Sequence, residues 1–291
     1  MSYLIRGITK NGHFKFACVE GRDLVEEGRK IHNTLPTTTA AFGRVLIGAA
    51  LLSADIKEGK VILQVKGDGP LGSVTAEARY DGWIRGYPAK PDVHLPPKEG
   101  KLDVGGAIGK NGVLDIIFDY GLKEPYVTSV PLQTGEIGDD LAYYYAYSLQ
   151  IPAVVAVGVH INPDNSVRSA GGILIEAMPD ATDEEIVKLE ENVKKMGGVT
   201  PHLNRGEKIE DLTKKLLDFD EVEILLEREI FFRCWCSKEK SEEAVVALGP
   251  EEIKKSIEKN EPIEVTCKFC LKKYIFTPEE LKSILEKIES E

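Results

Sequence analysis

Four of the chain's five cysteines fall in its last 58 residues, as Cys234-Trp235-Cys236 and Cys267-Lys268-Phe269-Cys270, with thirty residues between the pairs. No other feature restricts the fold as strongly. Zn²⁺ takes four soft ligands at tetrahedral corners, with Zn–S of about 2.3 Å, and two close-spaced cysteine pairs supply them from two small loops. Cys234, Cys236, Cys267 and Cys270 therefore read as zinc ligands, and the last fifth of the chain as a metal-held module. The spacing departs from common ribbons, because the first pair has one intervening residue and the insert exceeds the usual ~15–20. Structural Zn²⁺ contributes on the order of 10–16 kcal/mol, which in a small module is its folding energy. Thiolate is also the form that oxidants attack, so an inert structural site and a redox-sensitive one both fit the pattern. In an extended strand, Cα atoms two residues apart lie roughly 6.6 Å from each other, near the upper limit of disulfide geometry at about 6.8 Å. A Cys234–Cys236 disulfide would distort its strand.

With 291 residues, the chain can build a full core and one smaller domain. Hydrophobic content of 42% and charged content of 29% read as soluble and globular. The first seven residues lack a signal-peptide apolar core, and the longest apolar stretch, Val45 to Ala54, is half of the ~20 residues a membrane span needs. The expected location is cytoplasmic, with no membrane partner. In a reducing cytosol, paired thiols are metal-binding or redox-active more often than structural disulfides. A net charge of −11, with 17 acidic against 12 basic residues over 221–291, gives the terminal module no electrostatic attraction to nucleic acid.

The first 178 residues read as α+β. Tyr3–Thr9 and Phe14–Val19 look like strands joined at Asn11-Gly12, followed by helices from Asp23 to Asn33 and from Thr38 to Ala54, separated by Pro36. Strand-like runs follow at Val61–Val65, Ser73–Ala78, Trp83–Tyr87, Val113–Asp119 and Tyr126–Val130. A helix is then expected from Gly135 to Gln150, and strands at Val154–His160 and Gly172–Ala177. Past Pro179 the character changes. Thr182-Asp183-Glu184-Glu185 is a capping box, and Ile186, Leu189, Val193 and Met196 form one apolar stripe that ends at Gly197-Gly198. A second amphipathic segment carries Ile209, Leu212 and Leu216. Both helices are near the ~12–15 residues below which an isolated helix is marginal, so they need a neighbour. Val222 to Cys236 reads as an extended segment delivering the first cysteine pair. The insert is expected to hold one short helix from Pro250 to Lys259, and a capped helix follows Thr277. This divides the chain into a domain at 1–178, a helical linker at 179–222 and a zinc-binding domain at 223–291.

Other motifs carry less chemistry. Gly67-Asp68-Gly69-Pro70-Leu71-Gly72 fits G-x-G-x-x-G, but Ser73 to Ala78 alternates like a strand, so a turn between strands is expected. Gly105 to Asn111 resembles a phosphate loop one residue short, with Asn111 where Ser or Thr would hold a metal. The acids of Gly135 to Asp140 suit a helix N-terminus. Tyr143, Tyr144, Tyr145 and Tyr147 suggest burial between domains or at a subunit contact. His160 reads as a satisfied structural histidine, and Cys18 as a small buried hydrophobe. No catalytic constellation emerges, and the chain is not expected to be an enzyme.

The cysteine pattern resembles the redox-regulated 33 kDa chaperonin family, heat-shock protein 33. The similarity extends to Gly67-Asp68-Gly69-Pro70, Arg85-Gly86-Tyr87, the run from Val130 to Ala142 that contains Gln133-Thr134-Gly135-Glu136-Ile137-Gly138-Asp139-Asp140, and Ala170-Gly171-Gly172. The resemblance implies an ATP-independent holdase that is inactive when reduced and zinc-bound. Hypochlorite, or peroxide with heat, would join Cys234 to Cys236 and Cys267 to Cys270 and expel zinc. The linker would then unfold and present apolar surface to unfolding client proteins, with a homodimer as the active state. On this reading Ile186, Leu189, Val193, Met196, Ile209, Leu212 and Leu216 are the expected client-binding residues. Trp235 stands where a polar residue is expected in the family, and its indole would shield the thiolates. Leu149 likewise replaces an acid before Gln-Ile-Pro. The alternative from the cysteine pattern alone is a zinc-ribbon nucleic-acid-binding regulator. A thiol oxidoreductase is a third reading, without the βαβ context it needs.

Overall fold

In the computed structural model, which describes residues 1–218 and 221–290, the Asn11-Gly12 turn closes strand β1 (Tyr3–Thr9) onto β2 (Phe14–Glu20). Phe219 and Asp220 of the expected linker and Glu291 of the expected terminal domain lie outside the described residues. Gly12 adopts φ of 77°, which a side chain would resist. Helices α1 (Arg22–His32) and α2 (Pro36–Leu52) follow. Pro36 does not precede the second helix but opens it, since its fixed φ and missing N–H suit the first turn.

Every residue of α2 except Pro36 and Arg44 is buried. Apolar on all sides, this helix can only lie inside the molecule. Together with Ser53–Asp55 it is long and apolar enough to cross a membrane, yet 94% of its most apolar window is buried within the protein. It is the spine of the main core. On one side lies a six-stranded sheet with the order β11 (Phe231–Phe232)-β5-β4-β3-β6-β7, and on the other a five-stranded sheet with the order β10 (Val222–Glu229)-β1-β2-β9-β8. The first is built from β3 (Lys60–Lys66), β4 (Ser73–Arg79), β5 (Trp83–Pro88), β6 (Val113–Asp119) and β7 (Tyr126–Pro131), with the short helix α3 (Val104–Ile108) between β5 and β6. The second adds β8 (Ala153–Ile161) and β9 (Val167–Ala177) after α4 (Gly138–Tyr143).

The Gly67–Gly72 segment is the turn between β3 and β4, closed by Gly67 N donating to Gly72 O at 2.8 Å. The amides of the phosphate-like loop are already taken by carboxylates: Gly106 N by Asp103, Gly105 N by Glu136 and Asn111 N by Asp68. Asp140, at 0% exposure, accepts from the amides of Gln133, Thr134 and Ile137, so it organises this loop. The single helix expected from Gly135 to Gln150 is shorter, because α4 passes into a π-helical turn over Tyr144–Leu149. Tyr144 and Tyr145 are buried in the core beside α2, while Tyr147 is 65% exposed and stacks on Tyr143, in place of the expected burial of the whole cluster.

The far face of the five-stranded sheet is covered by α5 (Asp183–Met196), α6 (Thr200–Asn204) and α7 (Ile209–Leu217). The extended segment after them is β10 (Val222–Glu229) and β11 (Phe231–Phe232), which pair with β1 and β5 respectively. Compact units accordingly divide between Arg233 and Cys234, whereas the sequence reading begins the terminal domain at 223. Pairing with distant strands decides this, and no local pattern reports it.

The second unit, from Cys234 onward, holds α8 (Lys238–Val246), α9 (Pro250–Glu258), the hairpin β12 (Ile263–Thr266) and β13 (Lys273–Phe276), and α10 (Pro278–Ser290). Among the described residues its buried apolar core is Val245, Ile253, Tyr274, Phe276, Leu281 and Ile284. The insert thus carries two helices where one was expected. Ser237, whose hydroxyl accepts from Lys240 N, caps the extra one.

Candidate metal centre

Two chain reversals bring the four cysteines together. Cys234 and Cys236 lie on the extended run that ends at the Ser237 cap of α8, so their side chains are delivered just before the helix starts. Cys267 and Cys270 flank the turn between β12 and β13. There Leu271 N donates to Cys267 O at 2.8 Å and Cys267 N to Lys272 O at 2.9 Å, with Leu271 at φ of 58°. The four Sγ atoms all lie within 4.8 Å of one another, and none of the four is in a disulfide.

Close contacts between the pairs include Cys234–Cys267 at 3.7 Å and Cys236–Cys270 at 3.4 Å. A tetrahedron with Zn–S near 2.3 Å has S–S edges of about 3.8 Å. The donor set therefore fits a four-coordinate thiophilic ion. Tyr274 Oη donates to Cys236 Sγ at 3.2 Å. Burial works against ionising Cys236, but the Tyr274 hydroxyl and the neighbouring thiols outweigh it and bring this thiol down to about 7. Burial dominates at Cys270 and pushes its thiol well up. The cluster thus accepts one negative charge readily and resists the next, and a cation at its centre removes that resistance.

A family model described as Hsp33 protein matches residues 2–277. Similar curated proteins named 33 kDa chaperonin include one from Thermoanaerobacter sp. (strain X514), 41% identical over 286 residues and covering 97% of each chain. Another, from Bacillus subtilis (strain 168), is 38% identical over 286 residues and covers 98% of each. The chain belongs to the Hsp33 family. The crystal structure of the 33 kDa chaperonin from Thermotoga maritima superposes with a TM-score of 0.90 at 35% identity, over 99% of both chains. The expected α+β class with a terminal four-cysteine domain holds.

In this Hsp33-family chain, the stripe expected to meet clients is folded inward. Leu189, Ile209, Leu212 and Leu216 are buried, with Ile186, Val193 and Met196 packed around them, against Ile5, Phe14, Phe16, Cys18, Ile173 and Ile175 of the sheet. Polar contacts pin both helices to the β1–β2 hairpin. His13 Nδ1 meets Glu185 at 2.9 Å, and Tyr3 Oη donates to Glu210 at 2.8 Å. Sequence reasoning missed Val199 and Leu217 of this face, and α6 altogether. It also missed Tyr274 beside the sulfurs, although the alternation of Lys273 to Phe276 already places Tyr274 and Phe276 on one face.

Proposed function

We propose that this chain is a redox-regulated, ATP-independent holdase of the cytoplasm, which keeps unfolding proteins from aggregating under oxidative stress. The observation that carries the reading is the convergence of four thiols, none in a disulfide and all within 4.8 Å of one another, in a module whose buried apolar core among the described residues is six side chains. Cys234, Cys236, Cys267 and Cys270 would hold zinc, whose charge lets four thiolates share one site and so supplies most of the module's folding energy. In that state the linker stays on the sheet and the apolar stripe is covered.

Oxidation reverses the balance. Cys234 and Cys236 give two electrons to one peroxide and close a disulfide, and Cys267 and Cys270 do the same with a second. Two peroxides and four protons become four waters. Neutral disulfide sulfurs no longer hold a cation, so the module loses its main source of stability. The linker at 179–222 then leaves the sheet and bares Ile186, Leu189, Val193, Met196, Ile209, Leu212 and Leu216 to clients, with two chains pairing in the active state. Zinc release and suppression of client aggregation, measured before and after peroxide at elevated temperature, test the proposal. Zinc leaving in step with the onset of suppression is expected. Full suppression by the reduced, zinc-loaded protein, or none after zinc loss, would sink it.

A further inference from the structure

Tyr274 sits on β13 with its ring in the core of the second unit, 7% exposed, opposite Val265 of β12 and under Lys272 Nζ at 5.0 Å. A buried tyrosine usually finds a partner for its O–H. Here the partner is Cys236 Sγ at 3.2 Å, one of the four clustered sulfurs. Packing on both sides of the ring fixes the direction of that bond, since Tyr274 and Phe276 point inward while Lys273 and Ile275 face solvent. Groups that hydrogen-bond to a metal ligand tune its basicity and hold its orientation. A donor pointed at a thiolate withdraws electron density, and nucleophilicity falls with basicity along a slope of about 0.4–0.5.

We propose that Tyr274 is a positioning residue of the switch, whose hydroxyl holds Cys236 in the ligand set and slows oxidant attack at that sulfur. Its influence falls on one step. Cys236 Sγ attacks a peroxide oxygen, the O–O bond breaks, hydroxide leaves, and a sulfenic acid remains. Cys234 thiolate then attacks the Cys236 sulfur, expels a second hydroxide and closes the disulfide. The hydroxyl of Tyr274 holds back the first attack and so raises the oxidant level at which the site opens. The inference rests on the reading of the tetrad as a zinc thiolate site.

Tyr274→Phe keeps the ring and deletes only the donor. In the full-length, reduced, zinc-loaded protein under excess peroxide, zinc release followed with a chromogenic chelator should be about threefold to tenfold faster in Y274F. With 3-fluorotyrosine at position 274, which keeps the ring and strengthens the donor, release should be slower than in the unchanged protein. A role in core packing alone would not move the spectrum of the ligand set. With Co²⁺ in place of zinc, the sulfur-to-cobalt charge-transfer band of Y274F should shift to lower energy. Equal release rates across the three proteins, or an unshifted band, would overturn the inference. If Y274F takes up no metal, the fluorotyrosine protein decides by its rate alone. A chain that carries no zinc at all removes both this inference and the proposed function. Release that follows donor strength without any suppression of aggregation leaves Tyr274 in its role and removes only the chaperone reading.

Discussion

Cys18 lies at 0% exposure beneath α7, and burial, with Glu210 nearby, pushes its thiol up to about 12 against the opposing hydrogen bond to Thr213. It is inert for as long as the linker covers it, which makes it an internal reporter. In the reduced protein, alkylation of Cys18 should be negligible over hours, and after peroxide with heat it should rise about tenfold or more, read by mass spectrometry of the 15–22 segment. Unchanged protection in protein that is holding clients would remove linker release from the mechanism. Glu20 makes a second residue-scale prediction. Burial raises its carboxyl to about 7, and one of its oxygens is buried without a hydrogen-bond partner. The native state therefore keeps a proton that the unfolded chain releases near its ordinary 4.5, so this group's contribution falls as pH rises from about 4.5 to 7. Glu20→Gln should be neutral at pH 4 and stabilising by about 2 kcal/mol at pH 8 in denaturant titrations.

At the scale of elements, the linker helices are held from two directions. Their apolar faces lie on the sheet, and the Glu185 carboxylate both closes the capping box with Thr182 and meets His13 on the hairpin tip. Docking and helix formation in α5 therefore share a group. Leu212 is the centre of the α7 contact and is buried. Leu212→Ala should cost about 2–4 kcal/mol, which for a marginal nine-residue helix is enough to leave it undocked much of the time. Faster amide exchange confined to 183–217, with partial suppression of aggregation in the reduced protein, is the expected result. Exchange that rises equally throughout β1 to β9 would instead mean that the linker is an ordinary part of the core.

At the scale of the molecule, the second unit has a small core of its own with Cys236 and Cys267 packed against it, whereas the first is built around a fully packed helix between two sheets. On the proposed function, chelating the metal from reduced protein should abolish the helical signal of residues 238–290 and leave the main thermal transition of residues 1–178 in place, measured by circular dichroism and hydrogen exchange. A single transition that disappears entirely on chelation would contradict this division. Most elements of the first unit were legible, because hairpin turns, capping boxes and apolar stripes involve residues near one another in the chain. The Asn11-Gly12 turn and the Thr182–Glu185 box belong to that class, and each cysteine pair, Cys234 with Cys236 and Cys267 with Cys270, was visible by its own short spacing. Three features were not legible: β10 joining β1, sulfur contacts that cross between the two pairs, and Tyr274 aimed at Cys236. Each depends on groups brought together from distant parts of the chain, where many pairings satisfy the same local pattern and packing selects one. The sequence alone determined which side chains could bind a metal and which helices are too short to persist without a neighbour. Only the tertiary structure decided what covers those helices and what stands beside the sulfurs, because both are set by long-range burial.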